Sequence, residues 1–163
     1  AVKASDKRKG TDYLIEASGL IAQKRNDLLF LIVGSRGEEI EKQLPLPAMS
    51  MGYLLPRRMP ELYSAADLFV APSLYENLPN TIMEAMACGT PCVGFQTGGI
   101  PEMIAHGENG YVAQYKDAAD LAEGILWALQ DELHATLSAN ARRKVEDKYS
   151  QEKVAQQYME IYG

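Results

Sequence analysis

The feature that most constrains the fold is an alternation of two hydrophobic periods along the chain. Short runs of consecutive apolar residues are typical of strands that are buried on both faces of a sheet. Segments with apolar residues three or four positions apart are typical of helices that cover such a sheet. The pattern predicts strands at residues 28–33, 49–53, 68–71, 91–95 and 111–113.

The segments between these strands have helical spacing, and three more helical segments end the chain. Apolar strands that alternate with helices form parallel sheets, and their crossovers are right-handed. We therefore expect an α/β fold, a Rossmann-like doubly wound parallel sheet with flanking helices and a helical C-terminus. The predicted helices cover residues 12–24, 38–43, 59–66, 80–87, 101–105, 117–130, 133–149 and 151–162.

The composition indicates one soluble globular domain. The chain has 163 residues, 47% hydrophobic and 23% charged, which is enough to bury a sizeable core. The net charge of -6 disfavours nucleic acid as a partner. No stretch reaches the roughly 20 apolar residues of a membrane-spanning helix, and the start lacks an apolar signal-peptide core. We expect no transmembrane segment and a cytoplasmic location, with Cys88 and Cys92 as structural thiols.

Polar and glycine-rich loops follow the predicted strands. Ligands of doubly wound folds bind at the carboxyl ends of the strands, so these loops are candidate contacts as well as turn formers. No G-x-G-x-x-G or G-x-x-x-x-G-K-[ST] motif accompanies them, so dinucleotide and P-loop functions lose their main support. The candidate loop residues are Gly34, Ser35, Arg36, Gly98 and Gly99.

Two glutamates separated by seven residues stand out in this frame. Glu76 lies on the loop that leaves a predicted strand, and Glu84 lies one to two turns into the next predicted helix. Side chains lean toward the amino end of a helix, so both carboxylates are placed to face one ligand. The free amides at that helix start favour an anion such as a diphosphate. Carboxylates accept hydrogen bonds from sugar hydroxyls, so the arrangement suggests a nucleotide-sugar.

The segment S-x-Y-E-N-L-P-N-x-x-x-E-A-M-A-C-G-T-P resembles the E-x7-E signature of retaining GT-B glycosyltransferases, particularly family four. Other similar segments are K-R-K-G-x-D-x-L-I-E-A, L-x-I-V-G, S-A-A-D-L-F-V-A-P-S and T-G-G-I-P-E-x-I-x-x-G-x-N-G-Y-V. The resemblance extends along the whole chain. It implies that residues 1–163 form the C-terminal nucleotide-sugar-binding domain, and that the N-terminal acceptor domain of the same enzyme is absent from this chain.

The resemblance also implies a role for each matching residue. Glu84 is expected to bind the ribose hydroxyls, and Lys9 is expected to pair with the diphosphate. Lys3 stands where many relatives carry arginine, and it is a second candidate for the diphosphate. No residue is assigned as catalytic, and neither a metal nor a cofactor is expected. The donor sugar is assigned to Glu76, Asn77, Leu78 and Pro79, and the diphosphate also to Asn80 and Thr81.

The implied function is a metal-independent, retaining hexosyltransferase that uses a UDP- or GDP-sugar in polysaccharide or glycolipid synthesis. The fragment alone is expected to be inactive, and the whole enzyme to be cytoplasmic or peripheral at the inner membrane face through its absent domain. One alternative is a non-catalytic nucleotide-binding module. Another is a GT-B sugar phosphorylase or a nucleotide-sugar epimerase, which the closeness of the E-N-L-P and E-A-M-A-C-G-T-P match disfavours.

Overall fold

The computed structural model describes residues 7–162, and helices and strands alternate through most of this range. Two short 3-10 turns, Lys7–Lys9 and Pro56–Arg58, accompany the longer elements. The strands are β1 (Phe30–Val33), β2 (Ala48–Gly52), β3 (Phe69–Ala71), β4 (Cys92–Phe95) and β5 (Gly110–Ala113). The helices are α1 (Thr11–Ala22), α2 (Gly37–Glu41), α3 (Met59–Ala65), α4 (Asn80–Ala87), α5 (Ile100–Met103), α6 (Ala118–Ala128), α7 (Asp131–Lys148) and α8 (Gln151–Tyr162).

All the strand pairs are parallel, as the sequence predicts. One ladder joins β1 to β2, and a second has the order β3-β4-β5. The sequence pattern predicts one continuous sheet, whereas within residues 7–162 no ladder connects β1 to β3. Consecutive strands of each ladder are joined through helices, which is the connection that parallel pairing requires.

Helices cover both faces of the three-stranded ladder, so the doubly wound architecture is confirmed. Neighbouring side chains of β4 point to opposite faces. Val93 and Phe95 pack in one core cluster with residues of α1 and α6. Cys92 packs in the other cluster with residues of α3, α4, α5 and α7. All four residues of β4 are buried, and for this reason β4 reads as a continuous apolar run in the sequence.

The element boundaries agree with the sequence predictions to within two residues. The first predicted strand begins at Phe30 rather than at residue 28, and Leu29 before it is 55% exposed. The helical C-terminus is confirmed, but α8 contributes no buried residue. None of the helices within residues 7–162 is both long and apolar enough to cross a membrane.

Candidate functional site

The candidate site is built around the loop that connects β3 to α4. Two neighbouring segments hold this loop through hydrogen bonds to the backbone of Leu74. The amide of Leu74 donates to the carbonyl of Arg8 over 2.6 Å, and the Thr97 hydroxyl donates to the carbonyl of Leu74 over 3.2 Å. The loop is therefore fixed between the segment that precedes α1 and the segment that follows β4.

Gly98 and Gly99 allow the second of these segments to approach the loop closely. The amide of Gly99 donates to the carbonyl of Asn77 over 2.6 Å. A Cβ atom at Gly98 would lie 1.6 Å from the carbonyl oxygen of Glu76, and the φ of Gly98 is +51°. Only glycine fits such a contact without strain. The structure thus gives both glycines a framework role, and direct contact with a ligand stays a prediction.

Lys9 and Glu76 meet in a direct ion pair between Lys9 Nζ and Glu76 Oε1. The two residues are 67 positions apart in the chain, and the two side chains are 33% and 18% exposed respectively. Gly10, with a φ of +62°, turns the chain between Lys9 and α1, and a Cβ there would lie 1.8 Å from the carbonyl oxygen of Pro72. The tight turn brings the ammonium group onto the β3–α4 loop.

The amino end of α4 lies directly after this ion pair in the chain. Pro79 is its N-cap and supplies no side-chain hydrogen bond to the helix. In the part of the chain that the structure describes, the amides of Asn80 and Thr81 donate no hydrogen bond. Unpaired amides together with the helix dipole favour an anion. The side chains of Asn77, Leu78, Asn80 and Thr81 are exposed, and Pro79 is buried.

Glu84 lies one turn further along α4 and is exposed. Its Oε2 accepts a hydrogen bond from the Tyr63 hydroxyl over 3.2 Å. Burial raises the pKa of Tyr63, and the negative charge of Glu84 raises it further, so the phenol keeps its proton and acts as a donor. Between Glu84 and either Glu76 or Lys9, the described residues show no hydrogen bond or ion pair.

The remaining candidate loop lines a separate cleft at the carboxyl ends of β1 and β2. The cleft has a volume of about 350 Å³, and its lining includes Gly34, Ser35, Arg36, Gly52 and Tyr53. The amide of Gly34 donates to the carbonyl of Gly52 over 2.8 Å, which holds the two loops together.

Arg36, the residue before α2, is paired with a carboxylate of that helix. Its guanidinium donates two hydrogen bonds, of 2.7 and 2.5 Å, to Glu39. These bonds lower the pKa of Glu39 and raise that of Arg36. A ligand in the cleft would therefore share Arg36 with Glu39, and this candidate contact stays a prediction.

Residues 2–131 match the protein family described as glycosyl transferases group 1. The chain belongs to this family. The match includes every element from α1 to α6 and therefore the whole candidate site. The GT-B fold expected from the resemblance is confirmed by solved structures of similar chains.

Three relatives illustrate the similarity. N-acetyl-alpha-D-glucosaminyl L-malate synthase of Bacillus anthracis is 40% identical over 103 residues, which are 63% of this chain and 27% of that protein. The Anabaena protein HepE, solved with UDP and glucose, superposes with a TM-score of 0.82 at 26% identity, covering 98% of this chain and 46% of that one. A C-terminal domain of a glycosyl transferase group 1 protein from Francisella tularensis has a TM-score of 0.77 at 26% identity, covering 89% and 82%. The chain thus spans less than half the length of the first two.

The sequence candidates of this family member fall into three groups. Lys9 and Glu76 are in contact, with Gly98 and Gly99 against the same loop. Glu84 shares α4 with Asn80 and Thr81, and Gly34, Ser35 and Arg36 lie in the separate cleft. Lys3 is outside the described residues. Within residues 7–162, no group of three or more His, Cys, Asp or Glu side chains is arranged to hold a metal ion.

Sequence reasoning missed Tyr63, the side chain that contacts Glu84. The residue falls on the buried face of α3 and carries no motif. A tyrosine on the buried face of a helix does indicate a hydrogen bond, because a buried phenol requires a partner. The sequence does not reveal which partner that is.

Proposed function

We propose that this chain is the C-terminal, nucleotide-sugar-binding half of a glycosyltransferase, and that the intact enzyme transfers a hexosyl group from a UDP- or GDP-sugar to an acceptor with retention at the anomeric carbon. The observation that carries the proposal is the direct pairing of Lys9 with Glu76 next to the unpaired amides that begin α4. The ammonium group and the helix end suit the diphosphate of a glycosyl diphosphate. The carboxylate accepts hydrogen bonds and suits the hydroxyls of its sugar.

Transfer of the sugar requires mainly that the diphosphate leaving group be stabilised. Breaking the bond between the sugar and the diphosphate places negative charge on the leaving oxygen. Lys9 and the amides of Asn80 and Thr81 would stabilise this charge where it develops, so no metal ion is part of the proposal. Glu76 would accept hydrogen bonds from the transferred sugar, and the polar backbone around Asn77 and Leu78 would complete the sugar site.

Glu84 would bind the nucleoside part of the donor. Its carboxylate is exposed and has free lone pairs after accepting the Tyr63 hydroxyl. Two adjacent ribose hydroxyls are matched donors for a carboxylate. The cleft lined by Gly34, Ser35 and Arg36 has room for further groups of the donor, which would place its selectivity in that loop.

The rest of the enzyme would supply the acceptor site. The chain spans less than half the length of several relatives, which supports a further domain in the whole protein. Donor sites that lie between two domains close fully only when both are present. We therefore expect residues 1–163 alone to bind a nucleoside diphosphate weakly and to transfer no sugar. The cytoplasmic location stays a prediction.

The test uses the intact protein and the variant Glu84→Ala. Titration calorimetry with UDP and GDP would measure binding, and release of either nucleotide from a panel of UDP- and GDP-sugars would measure turnover. Loss of hydrogen bonds to a charged group costs about 1.5–3 kcal/mol, so Glu84→Ala should weaken nucleotide binding by roughly ten- to a hundredfold.

The matched control is Glu146→Ala. Glu146 is likewise an exposed helix glutamate with one side-chain partner, Arg142, and its replacement should leave nucleotide binding unchanged. Nucleotide binding without turnover in the intact protein, across the panel and with acceptor extracts, would favour a non-catalytic nucleotide-binding module. Parent-like binding by Glu84→Ala would remove Glu84 from the site.

A further inference from the structure

Tyr63 is held rigidly at the boundary between the core and the candidate site. The residue is only 3% exposed. Its ring packs edge-on against Phe69, with centroids 5.5 Å apart and an interplanar angle of 88°. Its main-chain carbonyl accepts a hydrogen bond of 2.6 Å from the hydroxyl of buried Thr90, which follows α4. Both the ring and the backbone of Tyr63 are therefore fixed relative to α4.

Unlike Tyr63, Glu84 has a side chain that is free to change rotamer. An exposed glutamate on a helix has several rotamers available, and fixing a long side chain costs conformational entropy. The Tyr63 hydroxyl donates to Glu84 Oε2 over 3.2 Å. A hydrogen-bond donor anchored in the core favours the one carboxylate orientation that this bond allows. The carboxylate is then already ordered in the free protein, so ligand binding loses less conformational entropy.

The bond leaves most of the carboxylate available to a ligand. A carboxylate has about four acceptor sites, and Tyr63 occupies one of them. Oε1 and the remaining lone pair of Oε2 stay free on an exposed side chain. A vicinal pair of ribose hydroxyls has the two donors that this surface accepts.

We propose that Tyr63 is a positioning residue for the donor nucleotide: its hydroxyl holds the Glu84 carboxylate in the orientation that accepts the ribose hydroxyls. The proposal rests on the proposed function, because it requires Glu84 to contact the ribose. The competing explanation is structural. Tyr63 also joins α3 to the segment after α4 through Thr90 and packs on Phe69, so its hydroxyl would then serve the stability of the domain alone.

The test compares Tyr63→Phe with the parent in the intact protein. The change removes one oxygen and keeps the ring, its packing on Phe69 and the backbone bond to Thr90. Calorimetry with UDP, GDP and their 2′-deoxy forms would measure the dissociation constants. We expect the Kd of the better-binding ribonucleotide to rise about three- to tenfold, the range that one hydrogen bond contributes. The affinity for the 2′-deoxy form should fall less than the affinity for the ribonucleotide. The preference for ribose over deoxyribose should therefore decrease.

The chain offers a matched control in Tyr111→Phe. The Tyr111 hydroxyl donates to the Asp120 carboxylate over 2.6 Å, which is the same pair of groups away from α4. Tyr111→Phe should change the Tm as much as Tyr63→Phe does, or more, and should leave all the dissociation constants unchanged. A larger fall in Tm for Tyr63→Phe than for Tyr111→Phe, with an unchanged ribose preference, would overturn the proposal in favour of the structural explanation.

The Glu84→Ala background separates failure of this proposal from failure of the proposed function. If Glu84→Ala impairs nucleotide binding and Tyr63→Phe does not, the positioning role alone is overturned. If Glu84→Ala binds both nucleotides as the parent does, the assigned function of Glu84 fails and the role of Tyr63 fails with it. If both single changes impair binding, adding Tyr63→Phe to Glu84→Ala should cause no further loss. An additive loss would show that Tyr63 acts independently of Glu84.

Discussion

Replacing Glu76 by glutamine should tighten the binding of a bare nucleoside diphosphate while it weakens the use of a sugar donor. The carboxylate of Glu76 forms a direct ion pair with the ammonium group of Lys9. A diphosphate that binds Lys9 therefore competes with Glu76 for the same ammonium group. Glutamine keeps the size of the side chain but removes the charge, so Lys9 becomes available to the ligand.

The size of the effect follows from the exposure of the pair. Exposed ion pairs contribute about 0.2–1 kcal/mol. The Glu76 side chain is 18% exposed and that of Lys9 is 33% exposed, which places this pair near the upper end, at about 1 kcal/mol. Releasing Lys9 should thus strengthen UDP or GDP binding by roughly fivefold. The lost repulsion between the Glu76 carboxylate and the diphosphate acts in the same direction.

Turnover of the sugar donor should change in the opposite sense. The hydroxyls of the transferred sugar would lose a charged acceptor, which is typically worth about 1.5–3 kcal/mol. The kcat/KM of the Glu76→Gln enzyme should therefore fall by about tenfold or more. Calorimetry with UDP and GDP, and steady-state kinetics with the preferred sugar donor, would measure the two effects on one preparation of the intact protein.

Two controls test whether release of Lys9 causes the tighter nucleotide binding. In a Lys9→Ala background, Glu76→Gln should no longer tighten nucleotide binding through release of the ammonium group, so the two changes should be non-additive. Glu146→Gln removes the charge from a more exposed ion pair with Arg142 on α7 and should change neither quantity. Unchanged or weaker nucleotide binding in Glu76→Gln would refute the argument that Glu76 and the diphosphate compete for Lys9.

Gly98→Ala should destabilise the domain by about 2–4 kcal/mol and abolish donor binding, because a Cβ there would meet the Glu76 carbonyl in a backbone of positive φ. Gly107→Ala is its control: Gly107 also has a positive φ, but a Cβ there meets nothing within 4 Å, so it should cost only about 1–2 kcal/mol in a urea titration and leave binding intact. A chelator such as EDTA should leave turnover of the intact enzyme unchanged. Complete loss that magnesium or manganese restores would contradict the metal-independent proposal.

Local patterns in the sequence determined the kind of each element. The continuous apolar run in β4 reflects a strand that is buried on both faces, and the spacing in α4 reflects a helix with one buried face. These are properties of neighbouring residues, since side chains alternate along a strand and recur every three or four positions along a helix. The E-x7-E segment could be recognised for the same reason, because a loop and the helix that follows it are continuous in the chain.

Only the tertiary structure decided which residues of the site touch one another. Lys9 and Glu76 are 67 positions apart, and Tyr63 and Glu84 are 21 apart. Their contacts depend on how the crossover helices pack and on backbone turns such as the one at Gly10. The same pattern of apolar and polar residues is compatible with many such placements, because hydrophobic burial is non-directional. The ion pair between Lys9 and Glu76, and the hydrogen bond from the Tyr63 hydroxyl to Glu84, therefore become visible only when the packed chain sets their distances.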